Sequence, residues 1–344
     1  MDLEYTILKK HTRPVVKLCI DKNGYLYTAS KDKTINVFDE NGTHKYTLST
    51  HKGMVSDVDV NEQGLILSCS TDGKVTVHKD KKVVFSQEQP GRMLSANWSP
   101  NGDMFFTVTS YFRKSSLPCI LHIYNAEYDC IYAKEFAFAA VIALWHSQKE
   151  IIIGCMNGAL HVLDIVNDKL VRSVSAHKCR IRDVQMSLDR KYVLTASEDK
   201  TAKLFDYATL GLQNTYQSPT PVNSAKFHPH KSEVLIAGGQ YARDVTTTCA
   251  ESGHFEFMYF DMNSGLEIHK QKTHHFGPIH SLMYYPNGTD IVSCSEDGTI
   301  RIERNIQTYE ERIVCFTNML NDLLKTANKN KRRRINKKLE KLSS

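Results

Sequence analysis

Four histidines in this chain each stand twenty-one or twenty-two residues before an aspartate. The pairs are His11 with Asp32, His51 with Asp72, His177 with Asp199, and His275 (or its neighbour His274) with Asp297. An imidazole held against a carboxylate can move protons, activate a nucleophile or help ligate a metal. A reaction needs such a unit once, whereas here it recurs, each time with the aspartate in a Ser-X-Asp-(Gly/Lys) turn. The turns are Ser30-Lys31-Asp32-Lys33, Ser70-Thr71-Asp72-Gly73, Ser197-Glu198-Asp199-Lys200 and Ser295-Glu296-Asp297-Gly298. A buried charge-assisted bond of this kind is useful only when both partners are present, and losing one leaves the other unsatisfied. No phosphate-cradling glycine loop, H-E-x-x-H or nucleophile elbow competes in the sequence. No catalytic residue, metal ligand or cofactor is expected, and the protein reads as a non-enzyme.

The elements that must position these pairs are short strands. Seven segments end in an apolar or substituted residue followed by a polar one: Phe38-Asp39, His78-Lys79, Tyr124-Asn125, Leu163-Asp164, Phe205-Asp206, Phe260-Asp261 and Glu303-Arg304. Their separations are 40, 46, 39, 42, 55 and 43 residues. A period of about forty residues with a Trp-Asp-like ending is the signature of a WD40 β-propeller, each repeat supplying a four-stranded blade. Runs such as Thr34-Ile35-Asn36-Val37-Phe38 and Thr201-Ala202-Lys203-Leu204-Phe205 alternate as a pleated strand requires. The expected fold is all-β, a seven-bladed WD40 β-propeller over residues 1–305. Tyr5 to Leu8 should supply the outermost strand of the last blade and latch the ring, removing an edge. In WD repeats the histidine bonds the turn aspartate, so the four pairs are expected to be structural. The usual tryptophan is replaced at all seven endings, which leaves packing and these pairs to hold the blades. Blades three, four and six lack the pair and are expected to be the irregular ones.

Composition agrees with one closed domain and one appendage. The chain has 344 residues, 41% hydrophobic, and a formal charge of +6. It has no run of about 18–20 apolar residues that would span a bilayer, and Met1-Asp2-Leu3-Glu4-Tyr5 does not begin a secretory signal. Nine cysteines without a C-x-x-C read as reduced thiols in a cytoplasmic protein. From Lys325 onward, nine lysines and arginines face the single Glu340, so the basicity of the chain is concentrated in its tail. Ile306, Tyr309, Ile313, Phe316, Leu320 and Leu323 form a heptad-like stripe just before it. Residues 306–344 are therefore expected to form a basic amphipathic helix and polybasic tail. Three readings stay open: docking on the propeller, nuclear import, or contact of Lys331, Arg332, Arg333, Arg334, Lys337 and Lys338 with RNA or another polyanion.

The fifth to seventh repeats carry more than generic WD features. They include Gly238-Gly239-Gln240-Tyr241-Ala242-Arg243-Asp244-Val245-Thr246-Thr247-Thr248, Gly253-His254-Phe255-Glu256 and His275-Phe276-Gly277-Pro278-Ile279. This series closely resembles subunit I of eukaryotic translation initiation factor 3. The resemblance is strong over about residues 175–302, looser over the first four blades, and absent from the basic tail. It implies a non-catalytic scaffold that binds initiation factor 3 subunits B and G, docking on the former and contacting the latter. It also implies work near the small ribosomal subunit during scanning and start-site selection, with no small-molecule substrate and no membrane. The long sixth repeat offers a candidate recognition loop with Gln240, Arg243, Asp244 and Thr246, joined in the candidate partner-binding set by Asp206. Two other scaffold readings stand beside it: a nucleolar ribosome-assembly propeller, which would explain the basic tail, and a signalling adaptor.

Overall fold

The computed structural model describes residues 4–110, 118–240 and 255–304. Among them are seven antiparallel sheets of four strands each. Blade one shows the local logic. Val15–Ile20, Leu26–Ser30, Ile35–Phe38 and His44–Leu48 are rich in β-branched and aromatic residues suited to a pleated, half-buried surface. Asp21 accepts from the N–H groups of Asn23 and Tyr25, and Gly24 takes φ +81°, which closes the first turn. Asn61, with Gly64, repeats the device in blade two.

The innermost strands are Val15–Ile20, Val55–Val60, Arg92–Trp98, Ala140–Trp145, Ile181–Met186, Val222–Phe227 and Ile279–Tyr284. Each packs beside the next, and the seventh packs beside the first, so the blades form a ring. In the last sheet Ile300–Arg304 is followed by Glu4–Leu8 as the outermost strand, supplied from the start of the chain.

Seven apolar clusters, among the described residues, fill the seams between neighbouring blades. Phe106, Leu121 and Ile123 of blade three meet Trp145 and Ile151 of blade four. Leu8, Ile300, Ile302 and Val292 meet Val15, Leu18 and Phe38 where blade seven abuts blade one. The seven positions that replace the usual tryptophan are all buried, including His78 and Glu303. Blade four is as regular as the others, contrary to expectation. Its missing histidine is replaced by stacking, with Phe138 lying 4.8 Å from the Phe136 ring and 4.4 Å from that of His161. Blade three also keeps four strands, and Gln89 stands in for the histidine, donating from Nε2 to the Tyr124 hydroxyl while its Oε1 accepts from Thr107.

A second, polar system crosses the seams. Every innermost strand has a register shift at the same place, between Val15 and Lys17, Val55 and Asp57, Met93 and Ser95, and so on round the ring. A bulge re-aims the side chain that follows it. Asp57 accepts from Ser95 Oγ (3.0 Å) and the Ala96 N–H (3.2 Å) of the next blade. Ser95 accepts in turn from the Ala143 N–H at 3.4 Å. Asp183 repeats the pattern with Ser224 and Ala225, and Ser224 with Leu282. Lys17 Nζ lies 3.6 Å from Asp57, and Lys226 Nζ 2.9 Å from Asp183. Burial pushes the Lys226 ammonium down, although Asp183 opposes it, so this pair depends on staying intact. Replacing Asp183 with Ala should strand that ammonium and cost about 3–5 kcal/mol, whereas Ser95→Ala should cost about 1 kcal/mol. Urea-unfolding midpoints of the two variants against the parent check the ranking, and equal losses would refute it.

Candidate functional site

The upper rim of the ring carries the turns between second and third strands and the entry to each innermost strand. All four histidine–aspartate pairs lie there. Nδ1 of His11 is 2.8 Å from Asp32, that of His177 is 2.9 Å from Asp199, and that of His275 is 3.0 Å from Asp297. Of the two candidates in blade seven, His275 makes the bond, while His274 stacks on Tyr5 with ring centroids 4.3 Å apart. On the other side of each ring, Nε2 meets a hydroxyl of the second strand: Thr28, Ser68, Thr195 or Ser293. Each aspartate also receives a backbone N–H from the residue after its histidine. The turn is thus sewn to the blade entry on three sides.

Blade two departs from this geometry. His51 Nδ1 is 3.8 Å from Asp72, beyond hydrogen-bond reach, and finds no partner among the described residues. The cause is one residue. In the other three blades a threonine two positions after the aspartate (Thr34, Thr201, Thr299) donates to the second carboxylate oxygen. Blade two has Lys74 there, so that hydroxyl bond is lost; Asp72 keeps the Lys52 and Lys74 N–H bonds that have counterparts in the other blades and adds one from the Gly53 N–H.

These rings cannot meet a substrate. The side chains of His11, His177 and His275 are 0% exposed and that of His51 is 1%. Burial lowers the pKa of all four, with the aspartate opposing, and brings His51 to about 4. Burial also raises the Asp32, Asp72 and Asp199 carboxyls, but the bonds they accept outweigh it and hold them below the ordinary range. No group of His, Cys, Asp and Glu among the described residues is placed to hold a metal. Among the described residues, five buried cysteines and the exposed Cys130 and Cys179 are free thiols. No helix among the described residues is long and apolar enough to cross a membrane.

At the centre of the upper rim the channel opens into a cavity of about 450 Å³. Gln240 lines it, next to Gly239, whose φ of +143° carries the chain past Phe255 and Pro278 with no room for a Cβ. Asp206 is elsewhere. It ends the third strand of blade five, opposite Tyr192, and so lies on the lower rim, where Thr209 donates to it. The candidate partner-binding set is therefore not one site on a single face. Arg243, Asp244 and Thr246 lie outside the described residues, as do the stripe and basic tail with Lys331, Arg332, Arg333, Arg334, Lys337 and Lys338.

Two consequences can be measured. Asp199→Ala leaves His177 without its partner and should cost about 1–3 kcal/mol, while Asp72→Ala should cost less, because His51 is not bonded to it. Comparable losses in urea unfolding would contradict the difference between the blades. The histidines also set a pH dependence. Their folded pKa values lie below the ordinary 6.5. Their contribution is therefore whole above about pH 6.5 and is lost as pH falls, for His51 down to about 4. The unfolding midpoint should drop between about pH 7.5 and about pH 5, and His51→Gln should flatten that drop.

The WD domain, G-beta repeat family matches residues 3–39, 42–79, 168–206 and 266–302. These are the four stretches that carry the histidine–aspartate pairs. Along its length the chain is similar to proteins named eukaryotic translation initiation factor 3 subunit I. That of Brugia malayi is 35% identical over 315 residues, covering 86% of this chain and 94% of the relative. That of Aspergillus terreus is 31% identical over 321 residues, covering 88% and 95%. That of Saccharomyces cerevisiae is 30% identical over 331 residues, covering 88% and 92%. With seven WD-type blades and this similarity across almost the whole chain, the protein belongs to the eukaryotic translation initiation factor 3 subunit I family.

Proposed function

We propose that this protein is a non-catalytic, cytoplasmic scaffold of the initiation factor 3 complex, holding subunits B and G on its propeller surface. The similarity to subunit I proteins over nearly the full length carries this reading. Burial of every histidine of the four pairs supports it, because this repeated histidine–aspartate constellation is consumed inside the blades. A propeller in turn offers broad rims and grooves rather than a closed reaction pocket. Recognition on such surfaces rests on a few aromatic and arginine anchors. Residues 1–305 are the binding body, with Glu4–Leu8 as the latch of its last blade, and residues 306–344 are an appendage whose lysines and arginines contact RNA of the small ribosomal subunit.

Gentle affinity purification of the full-length chain from its own cells, with mass spectrometry, tests this reading. Both partner subunits should be recovered with small-subunit ribosomal proteins. Removal of residues 325–344 should reduce the ribosomal proteins and leave the two partners in place. Recovery of nucleolar assembly factors or a receptor kinase, without those partners, would replace the proposal with one of the other scaffold readings.

A further inference from the structure

On the lower rim, each blade turns from its first strand into its second by the same device. A side chain at the start of the turn accepts backbone N–H groups from residues that follow it. In six blades the accepting atom is an oxygen. Asp21 and Asn61 supply it in blades one and two, Ser99, Ser147 and Ser187 in blades three to five, and Asn287 in blade seven. Blade six uses an imidazole. His228 Nδ1 accepts from the His230 N–H at 3.0 Å and from the Lys231 N–H at 3.1 Å. Carboxylate, amide and hydroxyl oxygens stay acceptors across the neutral range, whereas an imidazole ordinarily takes up a proton near pH 6.5.

That proton has one place to go. With Nδ1 accepting, the neutral ring carries its own hydrogen on Nε2, so the second must enter at Nδ1. Nδ1 then becomes a donor facing two donors, and both bonds are lost together. The ring is half-buried. Burial lowers its pKa, Lys231 lowers it further, Glu233 opposes them and His230 adds to the lowering. Tyr284 faces it from blade seven with ring centroids 5.0 Å apart, and burial pushes that hydroxyl up, so it stays neutral.

The turn is also a contact between blades. His230, its ring 6.3 Å from that of His228, lies over Gly288 in the matching turn of blade seven and leaves no room there for a Cβ. We propose that the first turn of blade six is an acid-released catch on the seam with blade seven: protonation of His228 at Nδ1 frees the two N–H groups that hold His230 over Gly288. An open turn restores the ordinary imidazole, while the closed turn holds the ring below it. The catch is therefore whole above about pH 6.5 and weakens as pH falls. It is independent of which subunits the propeller holds.

Hydrogen exchange of the full-length chain, resolved to single amides and corrected for the intrinsic effect of pH, tests this. If only the open turn takes up the proton, opening rises about tenfold between about pH 7.5 and about pH 5.5. Protection of the His230 and Lys231 amides should fall by that factor. The Gln63 and Leu65 amides, held by Asn61 in blade two, should keep theirs, a comparison that needs no variant. His228→Asn supplies an acceptor that does not titrate and should hold protection level between the two pH values, while His228→Ala should lower it at both. Unchanged protection at His230 and Lys231, an equal fall in blade two, or the same fall in His228→Asn would overturn the proposal.

Discussion

A blade in this protein cannot bury its own apolar faces; it can only bury them against its neighbours. The seven clusters lie at seams, each built from two adjacent blades, and the seam between blades seven and one is built like the rest. A linear stack of repeats tolerates frayed ends because each unit depends on nearest neighbours alone. A ring has no ends, so one weak seam costs two blades their cover. The seam of blades seven and one draws on both ends of the propeller sequence, with Leu8 from the first strand packed among Ile300, Ile302 and Val15. Everything else in the molecule presupposes that this seam is filled.

Polar groups do for orientation what the clusters do for stability. A sheet sliding against a sheet loses little apolar contact, so side-chain packing alone leaves the pitch of a blade loosely set. The bulge in each innermost strand turns Asp57, Ser95, Asp183 and Ser224 across the seam onto the backbone N–H of the next blade. These bonds are buried and directional, and a shift of one residue would leave donor and acceptor unsatisfied. The histidine–aspartate pairs act within a blade and not across a seam, fixing turns of the upper rim. Where the pair is missing, Gln89 in blade three bonds Tyr124 and Thr107 of the neighbouring strands, and in blade four Phe138 stacks on Phe136 and His161.

Much of this was legible because WD repeats put their signals close together and repeat them. The endings from Phe38-Asp39 to Glu303-Arg304 located the third strand of each blade, and the Ser-X-Asp turns located the upper rim. The seam bonds were not legible. In Val55-Ser56-Asp57-Val58-Asp59 the alternation puts Asp57 and Asp59 on one face, and both cross the seam, but nothing along the chain names their partners, Ser95 for Asp57 and Asn97 and Trp98 for Asp59. The weakness of His51 was present in the sequence as Lys74 in place of threonine, a signal hidden by the intact Ser-Thr-Asp-Gly turn. Gln240 and Asp206 lie apart for a topological reason. One follows a second strand and the other ends a third, and antiparallel strands send those positions to opposite rims.

The same antiparallel rule explains why the channel mouth escapes a reading along the chain. Lys31, Arg92, Arg180 and Arg182 come from three blades and share no motif, but each sits at or beside the end of a strand that reaches the upper rim. Their ammonium and guanidinium groups are spaced by the ring, so their separation depends on the seams holding rather than on any one loop. A locked ring gives charges at fixed positions without ordering cost when a ligand arrives. The buried polar ties thus have a second effect beyond stability: by holding the blades in register they set the separation of the charged groups around the central opening.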